Sequence, residues 1–228
     1  MAKPDPFDHR VHATAALALL ALFAAGLSAC GDDTTDIGHT VVSVASPRPD
    51  AAASSQAPSG TFGDEYADAQ QRLKDQFRRH EAQRIYLAVV YGVPEPSVGT
   101  WRDHLVWDNE SLVQKETHPN DPRASTASCD YEVLEDFGAA SLIQVSLVTG
   151  RRNQIRLQAR LRGHTLIGEQ RYVYGPDSLR NIEFERQALH AWRLGVIHPM
   201  TGKPLQLEAP VPEDMAGLLR RLEEESSG

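Results

Sequence analysis

The stretch TGRRNQIRLQARLRGHTLIGEQRYVYG, residues 149–175, decides how this chain is read. Inside it, NQIRLQARLRG (153–163) spaces Ile155, Leu157 and Leu161 as the inner side of a short helix, which Gly163 stops. Arg151, Arg152, Arg156, Arg160 and Arg162 surround those apolar positions. Reading on to residue 193 adds Arg171, Arg180, Arg186 and Arg193, against only Glu169, Asp177, Glu183 and Glu185. Every cation here is Arg, whose planar fork grips phosphate and whose face stacks on bases. Tyr172, Tyr174, His190 and Trp192 interleave aromatic surface. That combination suits RNA, whose exposed bases are held by stacking and whose backbone is held by cations. A solvated Arg-rich helix face is the plainer reading of the same charges.

The whole-chain composition points the other way. The 228 residues carry a formal net charge of -8, with 41% hydrophobic and 24% charged residues. Those values fit a soluble globular protein of one domain with an appendage, and exclude collagen-like, coiled-coil and strongly disordered chains. Cys30 and Cys129 are too few for a disulfide framework or a four-ligand zinc site. An acidic total argues against a nucleic-acid partner. Splitting the charge by segment reverses that argument. The acid lies in the leader, the 108–136 stretch and the tail, whereas 150–193 is basic.

Outward from the Arg-rich stretch, RIYLAVVYG (84–92) is a strand of β-branched and aromatic residues that stops at a Gly-Val-Pro turn. CDYEVLEDF (129–137) and SLIQVSLVTG (141–150) flank Gly138-Ala139-Ala140 as an antiparallel pair. LHAWRLGVI (189–197) is a further strand, HPMTG (198–202) a turn, and PEDMAGLLRRLEEE a closing helix that starts at Pro212. Upstream, Tyr66, Ala69, Leu73 and Phe77 share a helix face. Residues 93–128 read as polar and loop-rich. The fold class is α+β: a mixed, largely antiparallel central sheet with flanking helices.

Residues 149–175 resemble the signature region of the RluA-type pseudouridine synthases. That family carries Thr-Gly-Arg, His-Gln-Ile-Arg, Gly-His-Pro and Gly-Asp-x-x-Tyr in this order. RIYLAVVYG is similar to its Lys-x-Tyr-x-Ala-x-Val-x-Gly strand, RQALHAWRLGVIHPMTGKPL (186–205) to its Arg-x-x-Leu-His-Ala…His-Pro-x-Thr-Gly segment, and LKDQFRRH (73–80) to its Leu-x-x-Gln-Phe helix. The resemblance runs from about Tyr66 to Leu222. It implies an enzyme that turns uridine in rRNA or tRNA into its C-glycoside isomer, with no metal and no organic cofactor. In that chemistry an Asp attacks or deprotonates the nucleotide, the glycosidic bond breaks, and the base is rotated and rejoined through C5. The carboxylate must stay ionised in a closed pocket, which calls for a paired Arg, and the target must be flipped out to reach it. By position, the resemblance assigns Arg156 to the Arg that pairs with the catalytic Asp, and Tyr86 to the Tyr that stacks on the target uracil. Thr149, Gly150 and Arg151 form the turn beside the pocket, and Arg152, Asn153 and Tyr172 join them as RNA-binding candidates. Gln154, His164 and His190 are RNA-binding candidates or structural hydrogen-bonders. Asn153 stands where the family has His, Glu169 where it has Asp, and Thr165 where it has Pro.

The family's Arg-Leu-Asp-x-x-Thr-Ser-Gly run has no counterpart upstream, so the fold reads as incomplete at its N-terminal side. Aligning on Thr34-Thr35 puts Gly31 at the catalytic position, next to Asp32. Aligning on VVSVA (41–45) puts Thr35 there, and counting back from the helix puts Ala53 there. Asp32 is the catalytic candidate, with Asp33 beside it. Residues 1–30 hold Lys3, His9, Arg10 and His12, then an uncharged run that ends in Leu27-Ser28-Ala29-Cys30. This reads either as a secretory signal with an ending like a lipoprotein lipobox, or as an Ala/Leu helix of a cytosolic domain. Residues 31–61 include the Ser/Ala/Pro linker SPRPDAAASSQAPSGT, and 62–224 are the partial catalytic domain. The residues admit three functions: a cytoplasmic synthase, an inactive RNA-binding remnant, or an exported lipoprotein anchored to a membrane through Cys30 with a repurposed domain.

Overall fold

In the computed structural model, residues 62–227 are described. The expectations for the leader, the linker, Asp32 and Cys30 lie outside those residues. The elements in order are α1 (Phe62–Arg78), β1 (Gln83–Tyr91), β2 (Val98–Asp108), β3 (Val113–Glu116), β4 (Ser125–Asp136), β5 (Ala140–Leu147), α2 (Gln154–Leu161), a short 3-10 turn (Asp177–Leu179), β6 (Leu189–Ile197), β7 (Pro204–Glu208) and α3 (Glu213–Ser226). The strands form one sheet in the order β3-β2-β4-β5-β1-β6-β7. Every pairing among them is antiparallel, so the sheet is α+β as expected, without the parallel component that "mixed" allowed for.

β1 is central because both of its faces are apolar. Leu87 and Val89 join Met215, Leu218 and Leu222 of α3 on one side. Ala88 and Val90 join Ile143, Val145, Ile155 and Ala159 on the other, beneath α2. A strand covered on both faces reads as a continuous apolar run, and RIYLAVVYG is one. β1 pairs with β5 from Ile85↔Ser146 to Tyr91↔Ala140. On its other side it pairs with β6, with a register shift between Ile85 and Tyr86. The β4–β5 hairpin closes through Gly138, where the Asp136 Oδ1 accepts the Gly138 N–H at 2.7 Å.

Residues 93–128 correct the loop-rich expectation. β2 alternates faces, with Trp101, Asp103 and Leu105 buried and Thr100 and Arg102 outward. An Asp on the inward phase breaks the apolar alternation that marks a strand. β7 is a further strand that the residue pattern does not signal, since its five residues carry no run of apolar side chains. The sheet's two edges, β3 and β7, are its shortest strands, which limits exposed backbone. In α1, Leu73 is buried and Tyr66 is exposed, so the inward face begins later than the spacing suggests. Gln76, also inward, donates to the Ile197 carbonyl at 2.8 Å and accepts the Ile197 N–H at 2.7 Å. α3 starts at Glu213, directly after the expected Pro212, which caps it in extended backbone, and Glu213 and Asp214 lie in the first turn, where the helix dipole favours acids. No helix among the described residues is long and apolar enough to cross a membrane.

Leu218 is fully buried between α3 and β1. Leu218→Ala is expected to cost about 3 kcal/mol by leaving a cavity. Urea unfolding of the two proteins checks this as a shift of midpoint at constant slope.

Candidate functional site

The Arg-rich turn is tied to the sheet by one buried carboxamide. Gln154, at the start of α2, is 3% exposed. Its Oε1 accepts the Thr149 hydroxyl at 2.8 Å and the Arg151 N–H at 2.9 Å. Its Nε2 donates to the Ser128 carbonyl at 3.1 Å and to Gln158 Oε1 at 3.0 Å. The Thr149 Oγ1 accepts the Ser128 N–H at 2.8 Å, which joins the same turn to β4. One turn further along α2, the Gln158 Nε2 donates to Asp103 Oδ2 at 2.7 Å and to the Trp101 carbonyl at 3.2 Å. Asp103 also takes the Arg162 guanidinium at 2.7 Å, so its buried charge is neutralised. These bonds fix α2 across β2 and β4 with its polar atoms satisfied.

Arg156 stands at the outer side of α2. Its Nε and Nη2 donate to the two oxygens of Glu169 at 2.6 and 2.7 Å, and its Nη1 donates to Asn153 Oδ1 at 3.1 Å. The Glu169 side chain is fully enclosed, while that of Arg156 is 19% exposed. Glu169 also accepts the backbone N–H groups of Arg171 at 2.7 Å and Tyr172 at 3.1 Å. Burial pushes the Glu169 carboxyl up, but the Arg156 guanidinium and the two amides outweigh it and hold the carboxyl below its usual range. Glu169 follows Gly168, where a Cβ would overlap the Arg186 carbonyl; this close approach and a φ of 73° reserve the position for glycine. Asn153 adopts left-handed backbone at φ 52°, a conformation that Asn tolerates better than most residues. From there its Nδ2 donates to the Tyr172 hydroxyl at 3.2 Å. The Tyr172 ring lies 5.1 Å beneath the Arg156 guanidinium.

The structure separates the residues expected at the site into those it brings together and those it uses elsewhere. Tyr86 lies on β1 and packs against the cluster that contains Ile155, the residue before Arg156. Burial pushes its phenol up, and the neighbouring Arg84 charge pulls it down less strongly. The expected partner of Arg156, Asp32, is outside the described residues; the carboxylate that Arg156 holds is Glu169. Gln154, for which a structural role was the alternative, and Tyr172 both face inward. Both are buried with their polar atoms committed inside the protein, Tyr172 accepting the Gln114 N–H at 2.9 Å, so they support the site from beneath. His164 Nδ1 meets the Tyr91 carbonyl at 3.0 Å and His190 Nε2 the Ala209 carbonyl at 3.2 Å, both structural contacts. Gly150 and Arg151 are exposed on the turn. Arg152 stacks on the Trp107 ring at 4.0 Å.

Residue patterns do not single out Asp103, Gln158, Trp107 or Arg84. The first three belong to strand β2 or face it. Arg84 carries a usable signal, since it shares the strand phase of Tyr86, Ala88 and Val90, a buried face. Among the described residues, no group of three His, Cys, Asp or Glu is placed to hold a metal.

Glu169→Gln is expected to destabilise the fold by about 3 kcal/mol near neutral pH, because it leaves the Arg156 charge without its partner. The native carboxyl is depressed, so its stabilisation is complete above the unfolded value of about 4.3 and fades as pH falls through the lower folded value. The gap between the two proteins should therefore narrow on acidification, as denaturant midpoints at neutral and acid pH would show. Cys129 gives a second prediction. Burial pushes its thiol up to about 12, and its Sγ donates to Gln158 Oε1 at 3.2 Å. Mass-spectrometric mapping after iodoacetamide treatment at neutral pH should find Cys129 unmodified in the native protein and modified after unfolding.

Comparison with known proteins agrees with this architecture. Residues 65–161 match the family model described as RNA pseudouridylate synthase. The chain is 33% identical over 166 residues to an uncharacterized RNA pseudouridine synthase of Chlorobaculum parvum, covering 66% of this chain and 50% of that protein. It is 36% identical over 156 residues to the ribosomal large subunit pseudouridine synthase D of Zymomonas mobilis, covering 66% and 48%. The solved structure of human RNA pseudouridylate synthase domain containing 4 superposes with a TM-score of 0.56 at 20% identity, over 68% of each chain, and shares the fold. The chain spans about half the length of the curated relatives it matches. From about residue 65 onward, the chain is similar to RNA pseudouridine synthases, in line with its resemblance to the RluA-type family.

Proposed function

We propose that the chain is an RNA pseudouridine synthase that isomerises uridine to pseudouridine in rRNA or tRNA, in the cytoplasm where those RNAs reside. One observation carries the reading. On the α2 side of the sheet, Arg156 is held in place by a buried, ionised Glu169 and remains 19% exposed toward solvent. Three of its N–H donors go to Glu169 and Asn153. Guanidinium has five, so it retains capacity to hold a second carboxylate in the charged form. Asp32 is the proposed source of that carboxylate, and Tyr86 the proposed ring against the target uracil. Arg151, exposed on the turn, and the Arg152–Trp107 stack supply the cation and aromatic surface that a flipped-out, single-stranded nucleotide requires. The relative from Zymomonas mobilis is named for the large ribosomal subunit, which supports rRNA as the first substrate to try.

The test is incubation of unmodified rRNA and tRNA with the full chain, followed by chemical mapping of pseudouridine. Product is expected. Its rate should drop about 100-fold or more in Asp32→Ala combined with Asp33→Ala, since catalytic groups of this kind contribute at least that much. Absence of product from the unaltered chain on both RNA pools would overturn the activity. Salt-dependent RNA binding without turnover would identify an inactive RNA-binding protein instead.

A further inference from the structure

Arg84 is a buried cation without a described counter-charge. The residue is 8% exposed, and its Nε has no hydrogen-bond partner. Its contact with the Val148 carbonyl, from Nη2, is 3.5 Å long, at the outer limit of a hydrogen bond. The Phe77 ring lies 6.0 Å from its guanidinium. Among the described residues, no carboxylate lies within ion-pair distance of it. Its neighbours in the site differ on this point: Arg156 is neutralised by Glu169 and Arg162 by Asp103. Burial pulls the Arg84 guanidinium below its ordinary value, with the Tyr86 phenol acting weakly in the other direction. Arginine nonetheless stays charged at any working pH. An enclosed, unpaired charge is a cost to folding, and such costs persist where binding uses them.

Its position says what uses it. Arg84 is two residues before Tyr86 on β1, so the two side chains share a face. The guanidinium reaches up to the turn Thr149-Gly150-Arg151, where a Cβ on Gly150 would overlap it. Gly150 itself is exposed. The absent side chain thus lets a buried cation sit directly under an exposed backbone turn, one residue from the exposed Arg151. A strand laid over that turn meets two guanidinium groups. Phosphate suits them, because its oxygens accept paired N–H donors from a planar fork.

We infer that Arg84 is a binding residue that holds a backbone phosphate of the RNA at the Gly150 turn, beside the nucleotide that stacks on Tyr86. This rests on the proposed RNA substrate and adds a specific contact to it. The competing roles are a structural cation under the turn, and a partner for a carboxylate of the protein itself.

Salt dependence separates these roles. Each phosphate contact made to single-stranded RNA adds about 0.7 to the slope of log affinity against log salt. Binding of a fluorescein-labelled oligouridylate to the full chain, followed by anisotropy across a KCl series, gives that slope. Arg84→Met is expected to lower its magnitude by about 0.7 while the melting temperature holds or rises, because the unpaired buried charge is gone. Arg84→Gln should reproduce the slope change and keeps a polar donor, so it serves if Arg84→Met folds poorly. Arg220→Met, on the exposed side of α3, should leave the slope unchanged. An unchanged slope in both Arg84 variants would overturn the inference, whether the melting temperature falls, as a structural cation requires, or stays level. If the unaltered chain binds no oligouridylate at any salt concentration, the RNA substrate itself is refuted and this contact falls with it.

Discussion

Glu169 is the point on which the site's geometry depends. Its two oxygens gather the Arg156 fork from α2 and the backbone amides of Arg171 and Tyr172 from the segment after Gly168. A buried carboxylate is tolerated only when its lone pairs are filled, and here four N–H donors fill them. The consequence is mechanical. α2 has eight residues and could not hold its orientation through helix propensity alone. The ion pair fixes its outer side, and the Gln154–Gln158–Asp103 chain fixes its inner side against β2 and β4. Arg156 is therefore presented at a defined height above the sheet, with Tyr172 beneath it and Asn153 beside it.

The same arrangement explains how an acidic protein carries a basic site. Charge in the 150–193 stretch divides into two kinds. Arg156 and Arg162 are neutralised by enclosed carboxylates and act as rigid struts, because an ion pair removed from water resists separation. Arg151 lies exposed on the turn, Arg152 beside it is half-buried against the Trp107 ring, and Arg84 lies just below the turn. Exposed pairs such as Arg186–Asp214 and Arg193–Glu208 add little to stability. A net charge summed over the chain averages across these roles.

Much of the scaffold is legible in residue patterns. The run IYLAVV marks a strand covered on both faces, Gly138-Ala139-Ala140 a hairpin, and the Met215, Leu218 and Leu222 spacing a helix with one inward stripe. The exceptions share a cause. β2 reads as loop because Asp103 occupies an inward position, and only Gln158 and Arg162, more than fifty residues later, make that position habitable. Tyr172 and Gln154 look like surface contacts for RNA, since polar and aromatic side chains in an Arg-rich stretch give no sign of which way they point. Arg84 is easily passed over, because a single charge at the edge of a strand usually reaches water.

Nearest-neighbour chemistry was settled by the sequence alone: which segments bury apolar stripes, where glycine and proline interrupt them, and which ordered motifs carry the family. The sequence also determined that the Arg at position 156 precedes an acid by thirteen residues. Only the tertiary structure decided that these two meet as a closed, bidentate pair, that a glutamine is the bolt of the turn, and that Gly150 is small so that Arg84 can lie beneath it. The physical reason is that hydrophobic burial is nearly independent of direction and so is written in local periodicity. Hydrogen bonds and ion pairs are directional, and their partners are chosen by how the elements pack.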